Sequence, residues 1–266
     1  MLNLLKNPHN TARMADAVHA AELVAISFST KPYVHPSDEL SGIAELARLL
    51  RSDVFHDRSA KGNYEPVVLV PPAFLPDKAM SVMRNWLLRM GYSASFSGMG
   101  RNNIGSKLLL QKLEGTIDRV YSESGARKVT LIGHSLGAAL AIVAANRHPG
   151  QVEQVIGLAP VSNGTIGMAP IMLIPVALSE MANAMHHSSN LWKDMGALRE
   201  LDGQMRVPYF SIFPSRDGII SRDTSVRHGP NCHNIEVKGT HGGMIFNPKA
   251  YEIILGLLRG GSANAL

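Results

Sequence analysis

The chain is 266 residues long, 45% hydrophobic and 18% charged, against roughly 25% charged residues in an average soluble protein, so disorder is excluded and one large domain or two small ones are expected. The formal net charge is +5, yet the only adjacent basic pair is Arg127-Lys128, which argues against a nucleic-acid partner. A single cysteine, Cys232, excludes an internal disulfide framework and zinc sites built on several thiolates.

Residues 1–66 read as a helical N-terminal extension. Lys6 is the one cation before Asn10, and the next apolar segment is cut by Arg13, Asp16 and Glu22, which is not a signal-peptide pattern; the expected compartment is the cytoplasm. A helix is expected from about Thr11 to Ser27. Ser37 suits the N-cap of a second, with Asp38 and Glu39 in its first turn and Leu40, Ile43, Ala44, Ala47 and Leu50 at helical spacing.

From Glu65 short apolar runs alternate with amphipathic segments, the signature of a parallel sheet with helices on its faces. The runs are Val67 to Val70, Tyr92 to Phe96, Val129 to Ile132, Val155 to Leu158, Tyr209 to Phe213 and Ile235 to Val237. Asp77 is placed to cap a helix with Met80, Met83, Leu87 and Met90 on one face. Ser106 is placed to cap another that buries Leu110, Leu113, Ile117 and Val120. Asn247 and Pro248 form an N-cap and N1 pair for a last helix presenting Tyr251, Ile254, Leu255 and Leu258.

Residues 161–203 break this rhythm: they are apolar and rich in methionine but carry no strand signal, and an insertion of this length in an α/β fold is usually functional. The longest uncharged apolar stretch, Met168 to Leu178, spans 11 residues and holds two prolines; about 20 are needed to cross a membrane.

The strongest local signal is Gly133-His134-Ser135-Leu136-Gly137, set between an apolar run and the alanine-rich segment Ala138 to Ala145. A sharp strand-to-helix turn would expose the serine oxygen, and glycines two before and two after it remove side chains that would collide there. A serine hydroxyl needs a base oriented by an acid. His241, in Gly239-Thr240-His241-Gly242-Gly243, follows the last predicted strand, and Asp217, in Ser215-Arg216-Asp217-Gly218, follows the strand before it. The chain order is Ser, Asp, His. Asp-Gly is also a common turn pair, and Asp223 is the alternative acid.

On these motifs the segment from about Val67 to Leu258, three quarters of the chain, resembles the α/β-hydrolase family in its lipase and esterase branch. The resemblance implies a mostly parallel sheet flanked by helices, with core residues 67–160 and 204–266 and a helical cap or lid over 161–203. It makes Ser135 the nucleophile, Asp217 the acid and His241 the base. Leu136 would give one backbone N–H to the oxyanion hole. The second donor comes from Val70-Pro71-Pro72-Ala73-Phe74, which departs from the usual His-Gly pattern of this loop; prolines have no N–H, so Ala73 or Phe74 must donate, and Ala73 is preferred.

Phe74, Met168, Met172 and Met181 would suit an acyl-binding wall, or would simply pack the cap onto the core. No cofactor is implied, and no metal: the adjacent His186 and His187 would point about 100° apart on a helix, and acidic or thiolate partners do not cluster near them. The expected activity is hydrolysis of carboxylic esters with an apolar acyl part. An acyltransferase or thioesterase would use the same triad. A non-catalytic binding module is disfavoured, because all three triad residue types are present in order. The basic balance leaves peripheral contact with anionic lipid open.

Overall fold

The six apolar runs form six parallel strands among the described residues of the computed structural model, which are 42–57, 62–102, 107–163 and 200–260. They are β1 (Pro66–Val70), β2 (Ser93–Phe96), β3 (Val129–His134), β4 (Val152–Leu158), β5 (Tyr209–Pro214) and β6 (Cys232–Val237). The helices are α1 (Gly42–Leu49), α2 (Asp53–His56), α3 (Ser81–Arg89), α4 (Lys107–Glu123), α5 (Leu136–Arg147), α6 (Arg222–Ser225) and α7 (Pro248–Leu258). The expected helix over Thr11 to Ser27, the Ser37 and Ser106 caps, the His186-His187 pair and Met168, Met172 and Met181 lie outside the described residues.

β1 and β3 are buried at every position, as strands covered on both faces must be. Alternation sends Val67 and Leu69 to one face, where they join Leu49, Val54, Trp86 and Tyr251 from α1, α2, α3 and α7. Val68 and Val70 go to the other, against Leu110, Leu113 and Ile117 of α4 and Leu140 of α5. The strand order is β2-β1-β3-β4-β5-β6. The chain therefore leaves β1 toward one edge of the sheet and β3 toward the other. The crevice between the ends of β1 and β3 is the topological switch point, where open α/β sheets bind ligands. No helix among the described residues is long and apolar enough to cross a membrane.

Local punctuation follows the sequence at α7, where Asn247 accepts from the N–H groups of Lys249 and Ala250 and Pro248 occupies the first turn. Two expectations are corrected. Asp77 does not cap α3. It opens a 3₁₀ turn (Asp77–Met80) leading into that helix, and its carboxylate accepts from Ser97 Oγ and from the Gly100 N–H at 2.9 Å, tying the end of β1 to the end of β2.

The second correction concerns α1. Ala44, Ala47 and Leu50 are exposed, whereas Glu45 and Leu49 are buried. Apolar periodicity cannot find a buried face that carries a carboxylate, because it scores that residue as solvent-facing.

Candidate active site

Ser135 stands at the turn from β3 into α5 with φ 52° and ψ −121°. Positive φ is sparsely populated for a residue with a Cβ and persists only where the surroundings over-determine it. Here they do. The Ser135 N–H donates to Leu158 O at 2.9 Å, and its carbonyl accepts from Ala138 at 3.0 Å and Val161 at 3.2 Å. A Cβ at Gly133 would lie 2.6 Å from the Ala138 Cα, and one at Gly137 would lie 2.5 Å from both Val70 O and Pro71 O. The first glycine lets α5 fold back against β3, and the second lets the loop after β1 close onto the start of α5. Leu136 is the first helical residue, so its N–H has no partner within the helix and faces the positive end of the dipole.

β5 and β6 bring the other two candidates to the same edge of the sheet. Pro214 and Val237 are paired in register at the strand ends; Asp217 follows the first and His241 the second. His241 Nδ1 donates to Asp217 Oδ2 at 2.9 Å, with both side chains at most 7% exposed. Asp217 Oδ1 accepts the N–H groups of Ile219 at 2.9 Å and Ile220 at 2.7 Å. One oxygen thus builds the turn while the other meets the imidazole. Asp223, the alternative acid, is exposed on α6.

The loop after β1 is held by the segment that follows β2. The Phe74 N–H donates to Asn102 O at 2.6 Å, Asn102 Nδ2 to Pro71 O at 2.8 Å, and Arg101 Nη1 to Phe74 O at 2.7 Å. Phe74 itself has φ 63°. Of the two candidate donors in this loop, the Phe74 N–H is thus engaged within the fold.

Three contributors escape a reading of the sequence. His134, fully buried beside Ser135, has its imidazole held down at about 3, mainly by burial and secondly by the neighbouring His241. It is therefore neutral, and its Nε2–H donates to the His241 carbonyl at 2.9 Å. Its position inside the serine motif was a signal, but its partner lies 107 residues away. Asn102 brackets the β1 loop without any local motif. Glu45 of α1 accepts from the Thr240 N–H at 3.0 Å and from Thr240 Oγ1 at 3.1 Å, although 195 residues separate them.

The fold is shared with solved structures. A lipase of Bacillus licheniformis matches at 17% identity and TM-score 0.54, over 76% of this chain and 95% of its own. The chain has the α/β-hydrolase fold. A carboxylesterase of Bacillus subtilis has the same fold at 13% identity and TM-score 0.52, over 85% of this chain and 100% of its own. A monoacylglycerol lipase of Paleococcus ferrophilus matches at 16% identity and TM-score 0.52, over 76% and 97%. The family model described as serine aminopeptidase, S33, matches residues 98–229. That span of the α/β-hydrolase fold contains Ser135 and Asp217 and ends before His241. No curated protein matches the chain.

Proposed function

We propose that the protein is a serine hydrolase that cleaves carboxylic esters with an apolar acyl part. The buried His241–Asp217 pair, at 2.9 Å on the strand edge that carries the strained Ser135 turn, is the observation behind this reading. In the proposed reaction Ser135 Oγ attacks the ester carbonyl as His241 Nε2 takes its proton. Asp217 stays ionised and stabilises the imidazolium through Nδ1–H. The oxyanion is met by the N–H groups of Leu136 and Ala73. Collapse of the tetrahedral intermediate expels the alcohol, which takes the proton from Nε2 and leaves an acyl-serine. Water, deprotonated by His241, then releases the acid and restores Ser135.

The acyl part is assigned to the methionine-rich 161–203 stretch with Phe74. This stretch starts where the Val161 N–H donates to the Ser135 backbone carbonyl, so it leaves the sheet beside Ser135. Support for esters over amides comes from the structural neighbours, which are lipases and carboxylesterases, carried over here as an analogy of fold.

The test is labelling with a fluorophosphonate and hydrolysis of p-nitrophenyl esters of increasing acyl length, beside a peptide p-nitroanilide. Ser135→Ala should abolish labelling and reduce ester turnover by at least about 10³-fold. Labelling that persists in Ser135→Ala, or preference for the anilide, would overturn the reading. Added alcohol or thiol acceptors separate a transferase from a hydrolase, since a transferase yields acylated acceptor in mostly aqueous buffer.

A further inference from the structure

Glu45 is buried to 1% exposure, and among the described residues no other aspartate or glutamate is buried as a whole. A buried carboxylate is costly unless its oxygens are hydrogen-bonded, and these are. Oε1 accepts from the Thr240 N–H and Oγ1 at 3.0 and 3.1 Å, and Oε2 accepts from Asn247 Nδ2 at 3.2 Å. Asn247 in turn donates to Lys238 O at 2.7 Å and caps α7. The carboxylate therefore joins the residue before His241 to the start of the last helix.

The glycines around His241 make room for it. A Cβ at Gly243 would overlap the Glu45 carboxyl group, and one at Gly239 would stand 2.7 Å from Asn247 Nδ2 and 3.3 Å from Glu45 Oε2. Those same glycines would leave the 239–243 loop compliant if nothing held it. Two side chains hold it from opposite sides: Glu45 takes the Thr240 N–H, and His134 donates to the His241 carbonyl. An apolar side chain on α1 would have packed here at lower desolvation cost, but it offers no acceptor for the Thr240 backbone.

We propose that Glu45 is a positioning residue for His241: by fixing the Thr240 backbone it sets the direction from which the imidazole meets Asp217 and the Ser135 oxygen, and this makes helix α1 part of the active site. The proposal rests on the serine-hydrolase reading for its effect on rate, but its effect on the His241–Asp217 hydrogen bond is independent of that reading. Glu45→Gln keeps the shape but has one oxygen acceptor, so it turns a hydrogen bond to Thr240 or Asn247 into an opposition of donors. Glu45→Ala removes all three bonds.

The experiment measures kcat and KM on a p-nitrophenyl ester and, on the same proteins, the downfield proton NMR signal of His241 Nδ1–H, assigned by its loss in His241→Ala. Ile117→Ala, a truncation on α4 in the core on the opposite face of the sheet, is the control for a purely structural role. Folded Glu45→Gln and Glu45→Ala should lose about 10- to 100-fold in kcat, the scale on which small misplacements act, with KM changed less than about twofold and the Nδ1 signal lost to solvent exchange. Ile117→Ala should lower the melting temperature and leave kcat per folded molecule and the signal unchanged. A folded Glu45→Gln with wild-type kcat and an intact signal overturns the proposal. If both Glu45 variants fail to fold, Glu45→Asp keeps the charge but withdraws the carboxylate from the Thr240 N–H by one methylene, and an unchanged kcat and signal there overturn the proposal equally. A wild type that lacks esterase activity would refute the hydrolase reading while the NMR arm still decides the role of Glu45.

Discussion

Asp217 uses its two oxygens for different partners, Oδ1 for the N–H groups of Ile219 and Ile220 and Oδ2 for His241 Nδ1. Asparagine has a single oxygen acceptor, so in Asp217→Asn either the turn loses its acceptor, or the amide N–H faces Nδ1 and holds the imidazole in the tautomer protonated at Nε2. On the proposed mechanism kcat should fall by about 10⁴-fold, whereas Asp223→Asn, on the exposed face of α6, should keep kcat within about twofold; steady-state kinetics on the two variants check this. His134 gives a prediction of a different kind. Burial holds its imidazole down at about 3 in the folded protein, against an ordinary 6.5, so between those values the unfolded chain binds the extra proton and stability falls as pH falls. The slope from this residue is at most about 1.4 kcal/mol per pH unit. His134→Gln keeps an N–H for the His241 carbonyl but does not titrate, so urea unfolding at pH 7, 5 and 4 should show a shallower acid decline than wild type. The serine, aspartate and histidine were legible in the sequence because each sits in a short motif beside a strand. The part played by His134 was not, because a hydrogen bond to a carbonyl 107 residues on leaves no local pattern.

At the level of elements, the contact between α5 and the loop after β1 sets how closely that loop approaches Ser135. Gly137→Ala tests it. Alanine is favoured over glycine inside a helix by about 1 kcal/mol, but the new Cβ would meet two backbone carbonyls at 2.5 Å: that of Val70, in a strand buried at every position, and that of Pro71 just after it. Overpacking of this sort costs about 1 to 3 kcal/mol. The clash should win, with net destabilisation in urea melts and a loss of ester turnover in the folded fraction. Arg227, 6% exposed, plays the corresponding role where the 161–203 stretch joins the core: its guanidinium donates to the carbonyls of Ser162, Leu201 and Gly203. Arg227→Met would leave the buried Ser162 and Leu201 carbonyls unpaired, at about 1 to 3 kcal/mol each, and the urea midpoint should drop accordingly. Elements were read from the sequence with uneven success for one reason. α7 announces itself through Asn247 and Pro248, which act on their own backbone, whereas the buried face of α1 is set by donors on Thr240 and Asn247, 195 and 202 residues further along the chain.

Across the whole molecule, the two core clusters lie on opposite faces of the same strands, so neither can unfold while the other keeps its sheet. Far-UV circular dichroism and the fluorescence of Trp86, which is fully buried and donates to Val54 O at 2.9 Å, should therefore report coincident urea transitions; separated midpoints would show that the faces are independent. The sequence by itself determined the six parallel strands, the glycine-flanked serine turn and the strand ends that carry Asp217 and His241. Those features depend on contacts within a few residues, on alternation and on caps, all of which are written in local order. Tertiary structure alone decided the rest: that the Phe74 N–H is taken by Asn102, that Asp217 rather than Asp223 reaches His241, and that α1 turns a carboxylate inward to meet Thr240. Each of these depends on which polar groups find partners when distant segments meet, and hydrogen bonds between such segments leave no periodicity in the chain.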